Sequence, residues 1–387
     1  MLLLHAADLH LGKTLHERDI SPDQEAMLEG LLGVLAERRP AALLLAGDLY
    51  DRSIPPPEAV RLFDSFLFRA AEADPALSVV AIPGNHDSAA RLSFGTRIMS
   101  RAGLHIRTLP EDCDRPVLIE RDGESAAVWP LPFLGAGAFD AGEGALRGQA
   151  ELFAEAMRRI GAKIDSAEGP GRPTFHVLLA HCFASGGGTS ESERAFVGQA
   201  EAVDAGSFDR FDYAALGHLH RFQKAGEKGR YSGSPLAYSF AEGGEPKGFV
   251  LVELKEGGGL RAELLPFAPL RSMRRIEGPF SVLSALGAYP EYREDFVEAR
   301  LTDPLPVLNP ADPLRANFPN LLSVRQAAFE VAAGEAGGDG ARLPGEDPRT
   351  LLEDFAAFHA EMKGEAPDEE TGRLFAALAK EAEVETL

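Results

Sequence analysis

The first 270 residues alternate short, continuous apolar runs with polar, glycine-containing loops. The runs Leu2 to Ala7, Ala42 to Ala46, Val79 to Ile82, Ala126 to Trp129, Val177 to Ala180 and Tyr213 to Leu216 span four to six residues each without polar alternation. That pattern predicts strands buried on both faces. Between the first runs, Ala26 to Arg38 and Glu58 to Glu72 carry helical spacing. In the latter, Ala59, Phe63, Phe66 and Ala70 recur at intervals of four, three and four, and Pro55 to Pro57 stand where a helix start tolerates proline. Strand and helix in alternation predict an α/β architecture whose strand-end loops gather on one edge.

The texture changes after about residue 270. Arg274 to Gln326 holds an expected strand at Phe296 to Leu301, a proline-rich connection from Pro304 to Pro319 and an apolar stretch at Leu321 to Val324, which suggests a small α+β domain. Gly334 to Pro348 contains five glycines and two prolines and reads as a flexible linker. Beyond it, Leu351, Phe355, Phe358 and Met362 fall four, three and four apart, and Leu374 and Leu378 four apart, so two short amphipathic tail helices are expected. The division is therefore 1–270, 271–333, 334–348 and 349–387.

Composition narrows the class. A chain of 387 residues with 45% apolar side chains has ample core for two or three domains. No run of about 18 apolar residues occurs, and the first residues lack a basic region and are broken by Asp8 and His10, so neither a membrane span nor a secretion signal is predicted. Two cysteines, Cys113 and Cys182, suit a reducing cytoplasmic setting. The formal charge of −21 disfavours a basic wrapper for nucleic acid. Residues 341–387, with five basic and twelve acidic side chains, are the most acidic part for their size.

Five strand ends finish in metal-ligand chemistry: Asp8-Leu9-His10, Gly47-Asp48-Leu49-Tyr50-Asp51, Gly84-Asn85-His86-Asp87, Ala180-His181 and Gly217-His218-Leu219-His220. Side chains two apart on an extended segment share a side, so Asp8 with His10, and His218 with His220, are expected to reach one cluster. Carboxylate, imidazole and amide oxygen suit manganese, iron or zinc with more than four ligands, and the absence of thiolate argues against a closed structural zinc. Phosphodiester hydrolysis calls for such a set, because paired cations both activate water and clamp the phosphate. Asp48 is the candidate bridge. His5, His105 and His176 read as core histidines, His359 as a tail-helix position, Trp129 as core and Cys182 as a small buried side chain.

These motifs, in this order, resemble the calcineurin-like metallophosphoesterases. The flanks DLHLGKTLHERDI, GDLYDRSIPPPEA, GNHDSAARLSFG, SESER, FDYAALGHLHRFQ and YSGSPLAYSFAE are similar to the bacterial SbcD branch of that family across residues 1 to 250. The resemblance implies a four-layer αββα sandwich, a small α+β capping domain that positions DNA, and a C-terminal helical tail. It implies one metal held by Asp8, His10, Asp48 and His220 and another by Asp48, Asn85, His181 and His218, both most simply Mn2+. His86 would then face the scissile phosphate, with Asp87 orienting it. Relatives from archaea and eukaryotes carry histidine where this chain has Asp51, so no role of that histidine carries over.

A metal site alone does not choose a substrate, and a small-molecule phosphodiesterase or a DNA-end scaffold are the alternatives. The material after residue 270 favours the nuclease subunit. By the resemblance, such a subunit works with the ATPase SbcC as a double-strand 3′–5′ exonuclease and single-strand endonuclease in DNA repair, recombination and replication. A homodimer within a heterotetramer is implied, with contacts from Ala59 to Ala70 and Arg91 to Arg101. Leu351, Phe355, Phe358 and Met362 would dock on SbcC. Given the acidic balance, DNA is expected to be held by local basic loops, with Lys13, His16, Arg18, Arg52, Arg91 and Arg221 as candidates, by the metals and by the partner.

Overall fold

A computed structural model of the chain describes residues 1–135, 137–139, 148–166, 172–185 and 202–327, with 355, 359, 367–368 and 371–375 of the tail. The linker 334–348 and the side chains of Leu351, Phe358 and Met362 lie outside the described residues.

Two six-stranded sheets form the body. In spatial order the first contains Gly259–Pro266, Gly248–Lys255, Leu2–Ala6, Ala42–Ala46, Ser78–Ile82 and Leu104–Ile106. The second contains Gln223–Ala225, Gly229–Tyr231, Tyr213–Gly217, Phe175–His181, Glu124–Leu131 and Val117–Arg121. Their central strands run parallel, Leu3 opposite Ala42 and Leu43 opposite Val79 in one sheet, Tyr213 opposite Val177 in the other. Parallel strands send their carboxyl ends to one edge, so each sheet presents its strand-end loops together.

The apolar runs are continuous because each strand is covered twice. Leu3, Leu44 and Val80 meet Val128, Val177 and Leu179 of the second sheet, forming the core between the sheets. Leu4, Leu43 and Leu45 face the other way, onto Met27 and Leu31 of helix Ser21–Arg38 and onto Phe63 and Phe66 of helix Pro57–Ala73. Trp129, Leu178 and Leu216 of the second sheet pack on Phe153 and Ile160 of helix Gln149–Ser166. Helix, sheet, sheet and helix are thus the four layers that the sequence pattern and its resemblance predict. The hairpin Gly248–Lys255 with Gly259–Pro266 was not among the expected strands. Its first strand, inside the sheet, carries the apolar run Phe249 to Val252 that the strand reading passed over, with Val250, Val252 and Leu254 in the core between the sheets; the edge strand Gly259–Pro266 alternates and leaves no such run.

From Met273 the chain enters a three-stranded sheet of Met273–Gly278, Phe296–Leu301 and Leu321–Gln326, the first two parallel. One face carries its own core, with Ile276, Val297, Leu301 and Leu314. The other carries buried Glu298 between Arg275 at 2.6 Å and Arg325 at 3.1 Å. Met273 and Phe296 also join the helix-side core of the first sheet, and Arg271 pairs there with buried Asp23. Met1–Asp303 with Val307–Arg325 make one compact unit; Pro304–Pro306 with Gln326–Leu387 make a second. Within the second, Phe355 is half-buried and its ring stacks on Phe375, centroids 3.9 Å apart.

His5 lies wholly buried between the sheets, with Nδ1 2.9 Å from the Tyr213 hydroxyl. Burial pushes its imidazole down from 6.5 to about 3. An unfolded chain therefore binds a proton here that the folded chain refuses, and stability falls on acidification below pH 6.5 by about 1.4 kcal/mol per pH unit for this group. In chelator-treated protein, urea melts between pH 6 and pH 4 should show that slope lessened by about this amount in His5→Leu. An unchanged slope would mean that His5 titrates normally in the folded chain.

Candidate metal centre

The loops after Leu2–Ala6 and Ala42–Ala46 remain zipped beyond their strands. Asp8 N–H donates to the Gly47 carbonyl at 3.0 Å, His10 N–H to Asp48 at 3.0 Å and Leu11 N–H to Leu49 at 2.9 Å. The backbone is nevertheless not extended: Asp8, His10 and Asp48 sit at φ of 56°, 44° and 51°, and His218 at 106°. The period-two expectation for Asp8 and His10 is thus corrected. Their side chains converge because left-handed turns swing them inward. Each such non-glycine residue costs roughly 1–3 kcal/mol and persists only where its surroundings over-determine it. Gln24 helps to do so, donating to the His10 carbonyl at 2.7 Å and accepting from Gly12 N–H at 2.9 Å.

Glycines in the motifs have steric reasons. A Cβ on Gly84 would run into the Asp48 carboxylate, and one on Gly217 into the Ala46 carbonyl. At Gly84 two neighbouring loops of the first sheet, and at Gly217 the two sheets, approach too closely for any side chain.

The expected ligands form a closed ring of donors. His10 Nε2 lies 3.2 Å from His220 Nε2. Asp48 Oδ2 lies 3.8 Å from His10 Nε2 and 3.6 Å from His181 Nε2, a single oxygen facing both sides. Asn85 Oδ1 is 3.0 Å from His181 Nε2 and 3.2 Å from His218 Nδ1. His218 N–H then donates to Asp8 at 3.1 Å, and Asp8, His10 and His220 stand close enough to share one ion. Asp8, His10, Asp48, His181 and His220 are all buried.

Burial disfavours the charged form of three of these imidazoles, His10, His181 and His218. It holds His10 well below its ordinary value, helped by neighbouring His220; it lowers His181; and with His181 nearby it takes His218 down to about 3. Neutral imidazole and carboxylate donors fit a divalent cation of the hard-to-borderline class. The tautomers agree. His181 Nδ1 faces the Ala46 carbonyl at 2.8 Å and His220 Nδ1 faces Glu242 at 3.3 Å, so each keeps its lone pair on the inward Nε2. A proton shared between His10 and His220 would leave His10 Nδ1, buried and without a hydrogen-bond partner, as a lone pair 3.6 Å from the Asp51 carboxylate. A cation there instead leaves Nδ1–H aimed at that carboxylate.

His86 stands beside the ring, edge-on to His10 with centroids 4.9 Å apart. The acceptor 2.9 Å from its Nδ1 is the Asp51 carbonyl. The Asp87 carboxylate accepts from the amides of Leu49, Tyr50 and Gly84 at 2.9–3.0 Å. Asp87 thus ties two ligand loops together, where the sequence reading expected it to orient His86. Burial and neighbouring Asp48 push it up to about 7 against the pull of those amides.

The basic candidates differ in how they are held. Lys13 Nζ reaches Asp51 at 2.6 Å, Arg221 pairs with Glu245, and Arg52 lies 3.9 Å from Asp51. His16 is exposed on a tight hairpin turn at φ 47°, Arg18 reaches the Pro319 carbonyl at 3.1 Å, and Arg91 is exposed. Three residues that sequence reasoning passed over matter to the site. Tyr238 donates to the Leu9 carbonyl and packs edge-on against His10, and Glu242 with Lys247 stands behind His220. The available signal was the charged pair in Glu242-Gly-Gly-Glu-Pro-Lys247, which resembles an ordinary solvated turn.

Residues 1–222 match the family model described as calcineurin-like phosphoesterase, and residues 269–360 match one described as type 5 capsule protein repressor C-terminal domain. Two curated relatives are each named as the D component of the nuclease SbcCD. The one from Staphylococcus epidermidis is 28% identical over 92% of this chain and 92% of its own. The one from Staphylococcus saprophyticus is 30% identical over 85% of this chain and 86% of its own.

Gly217→Ala should abolish high-affinity metal binding and lower the melting temperature, since the methyl has no space. Gly33→Ala, in a helix with open space around it, should leave metal binding unchanged and stabilise by about 0.5–1 kcal/mol. Calorimetric titration and thermal melts read both; normal metal binding in Gly217→Ala would contradict the packing account.

Proposed function

The chain belongs to the calcineurin-like phosphoesterase family, in its SbcD branch, and from that premise we propose that it is the nuclease subunit of a complex with an SbcC-type ATPase. In this reading it hydrolyses DNA phosphodiesters with two Mn2+ ions. The observation that carries the reading is the closed donor ring with His86 at its margin. Asp8, His10, Asp48 and His220 would hold one ion, and Asp48, Asn85, His181 and His218 the other. When bound, the pair supplies charge that polarises water and clamps a phosphate.

The remaining chemistry belongs to the chain. In its imidazolium form His86 would donate Nδ1–H to the Asp51 carbonyl and present Nε2–H to the reacting phosphate, where that proton stabilises developing charge and passes to the leaving oxygen, leaving neutral imidazole. Asp87 keeps that histidine's loop in register with the Asp48 loop through three backbone amides. Lys13, His16, Arg18, Arg52, Arg91 and Arg221 supply local positive charge in an acidic chain, so DNA binding by this subunit alone is weak. The three-stranded sheet serves as the cap that positions DNA, and the tail, through Leu351, Phe355, Phe358 and Met362, docks on the ATPase. Among the described residues no helix is long and apolar enough to cross a membrane. Cys113 and Cys182 are free and buried, consistent with a cytoplasmic protein. Support for a homodimer comes from Phe94 and Ile98, 85% and 77% exposed. Ala59, Phe63, Phe66 and Ala70 are turned into the core, so the dimer contact falls to the 91–101 segment and to outward residues such as Phe68.

Full-length protein with Mn2+ should cut single-stranded DNA, and with SbcC and ATP should degrade duplex ends. Hydrolysis of bis-nitrophenyl phosphate without cleavage of DNA, alone or with the ATPase, would favour a small-molecule phosphodiesterase. His86→Gln should keep its metal content and lose about 10²–10⁴-fold in turnover; loss of metal would make His86 a ligand. Phe94→Asp with Ile98→Asp should sediment as a monomer where the wild type is a dimer, and an unchanged dimer would move the contact elsewhere.

A further inference from the structure

His220 is held unlike its neighbours. His181 and His86 direct their outward nitrogens to backbone carbonyls, those of Ala46 and Asp51. His220 instead faces a carboxylate, Glu242, which has no exposed surface. Glu242 Oε1 also accepts from Ser239 at 2.9 Å, and Oε2 accepts from Lys247 at 2.7 Å. Lys247 is itself buried, and its ammonium completes a clamp by donating to the His220 carbonyl at 2.7 Å and to Ser234 Oγ at 3.0 Å. One ion pair thus grips both the side chain and the main chain of a single expected ligand.

Such a buried pair is costly: two charges leave water, and a well-packed apolar pair of similar volume is often as stable or more so. Stability alone is therefore a weak reason for it. A carboxylate on the outer nitrogen of a metal-binding imidazole does have a specific use, because it fixes tautomer and ring orientation and raises ligand basicity. Carbonyl partners fix orientation with less effect on basicity.

We infer that Glu242 and Lys247 are positioning residues that tune His220, and with it the Asp8, His10 and His220 side of the centre, independently of the Asn85, His181 and His218 side. The inference rests on the two-cation reading. It assigns a function to the loop from Ser234 to Lys247, which also carries Tyr238 against the rings of His10 and His220. The two sides are then unequal by construction, one oriented by a charged group and the other by neutral ones.

The test is Mn2+ titration of the metal-free full chain, followed by calorimetry and by electron paramagnetic resonance. Wild type should bind two ions and show a spin-coupled pair. Glu242→Gln should weaken one ion about 10–100-fold and leave the other unchanged, replacing the coupled signal by that of an isolated ion at intermediate Mn2+. Because Glu242→Gln leaves Lys247 buried without its partner, the double variant Glu242→Gln with Lys247→Met separates tuning from folding. It should melt near the wild-type temperature and still lack one tight ion. Two wild-type affinities in the double variant would overturn the inference, as would equal weakening of both ions in a folded protein. If wild type binds only one ion, the two-cation reading fails, and the inference then stands or falls on whether Glu242→Gln weakens that ion.

Discussion

Desolvation of the imidazoles is the constraint on which the site depends. His10, His181 and His218 are buried where two sheet edges meet, and burial there holds each imidazole below its ordinary value, while the Ala46 carbonyl turns the lone pair of His181 inward. Asp8 accepts from the His218 amide and Asp48 from the His86 amide, so both carboxylates are held among the imidazoles. A divalent cation there would supply the charge that the fold excludes from the histidines.

The backbone is arranged to serve this constraint. Four of the donors occupy left-handed turns, and the cost is offset by the hydrogen bonds that carry the ladder of the first sheet past its last strand residue. Asp87, Gln24 and Tyr238 extend the same support from three directions. Rigid placement of ligands on zipped loops limits how far the centre relaxes without metal, which is the condition for preorganised catalysis.

Much of this was legible in the sequence, for identifiable reasons. Strands covered on both faces leave continuous apolar runs, so most central strands could be read directly; Phe249 to Val252 is such a run and was passed over, whereas the edge strand Gly259–Pro266 alternates and offers none. Each of the seven expected ligands follows such a run, and their side chains lie near one another at one edge of the sheets. Geometry within the turns was not legible, because period-two reasoning assumes extended backbone and Asp8 and His10 are left-handed. The resemblance implied Asp87 as a partner orienting His86, yet its carboxylate serves the backbone amides of Leu49, Tyr50 and Gly84. Glu242 and Lys247 escaped notice because burial, not composition, distinguishes them from a surface pair.

The acidity of the chain also takes on meaning at this edge. Part of the charge of −21 is the candidate donor set itself, and divalent cations held there would reverse the local sign. The central claim is that Asp48 Oδ2 sits between two cation positions. Anomalous diffraction from crystals grown with Mn2+ tests it most directly. The account predicts two peaks flanking Asp48, one bounded by Asp8, His10 and His220 and the other by Asn85, His181 and His218. A single peak, or peaks away from this ring, would contradict it.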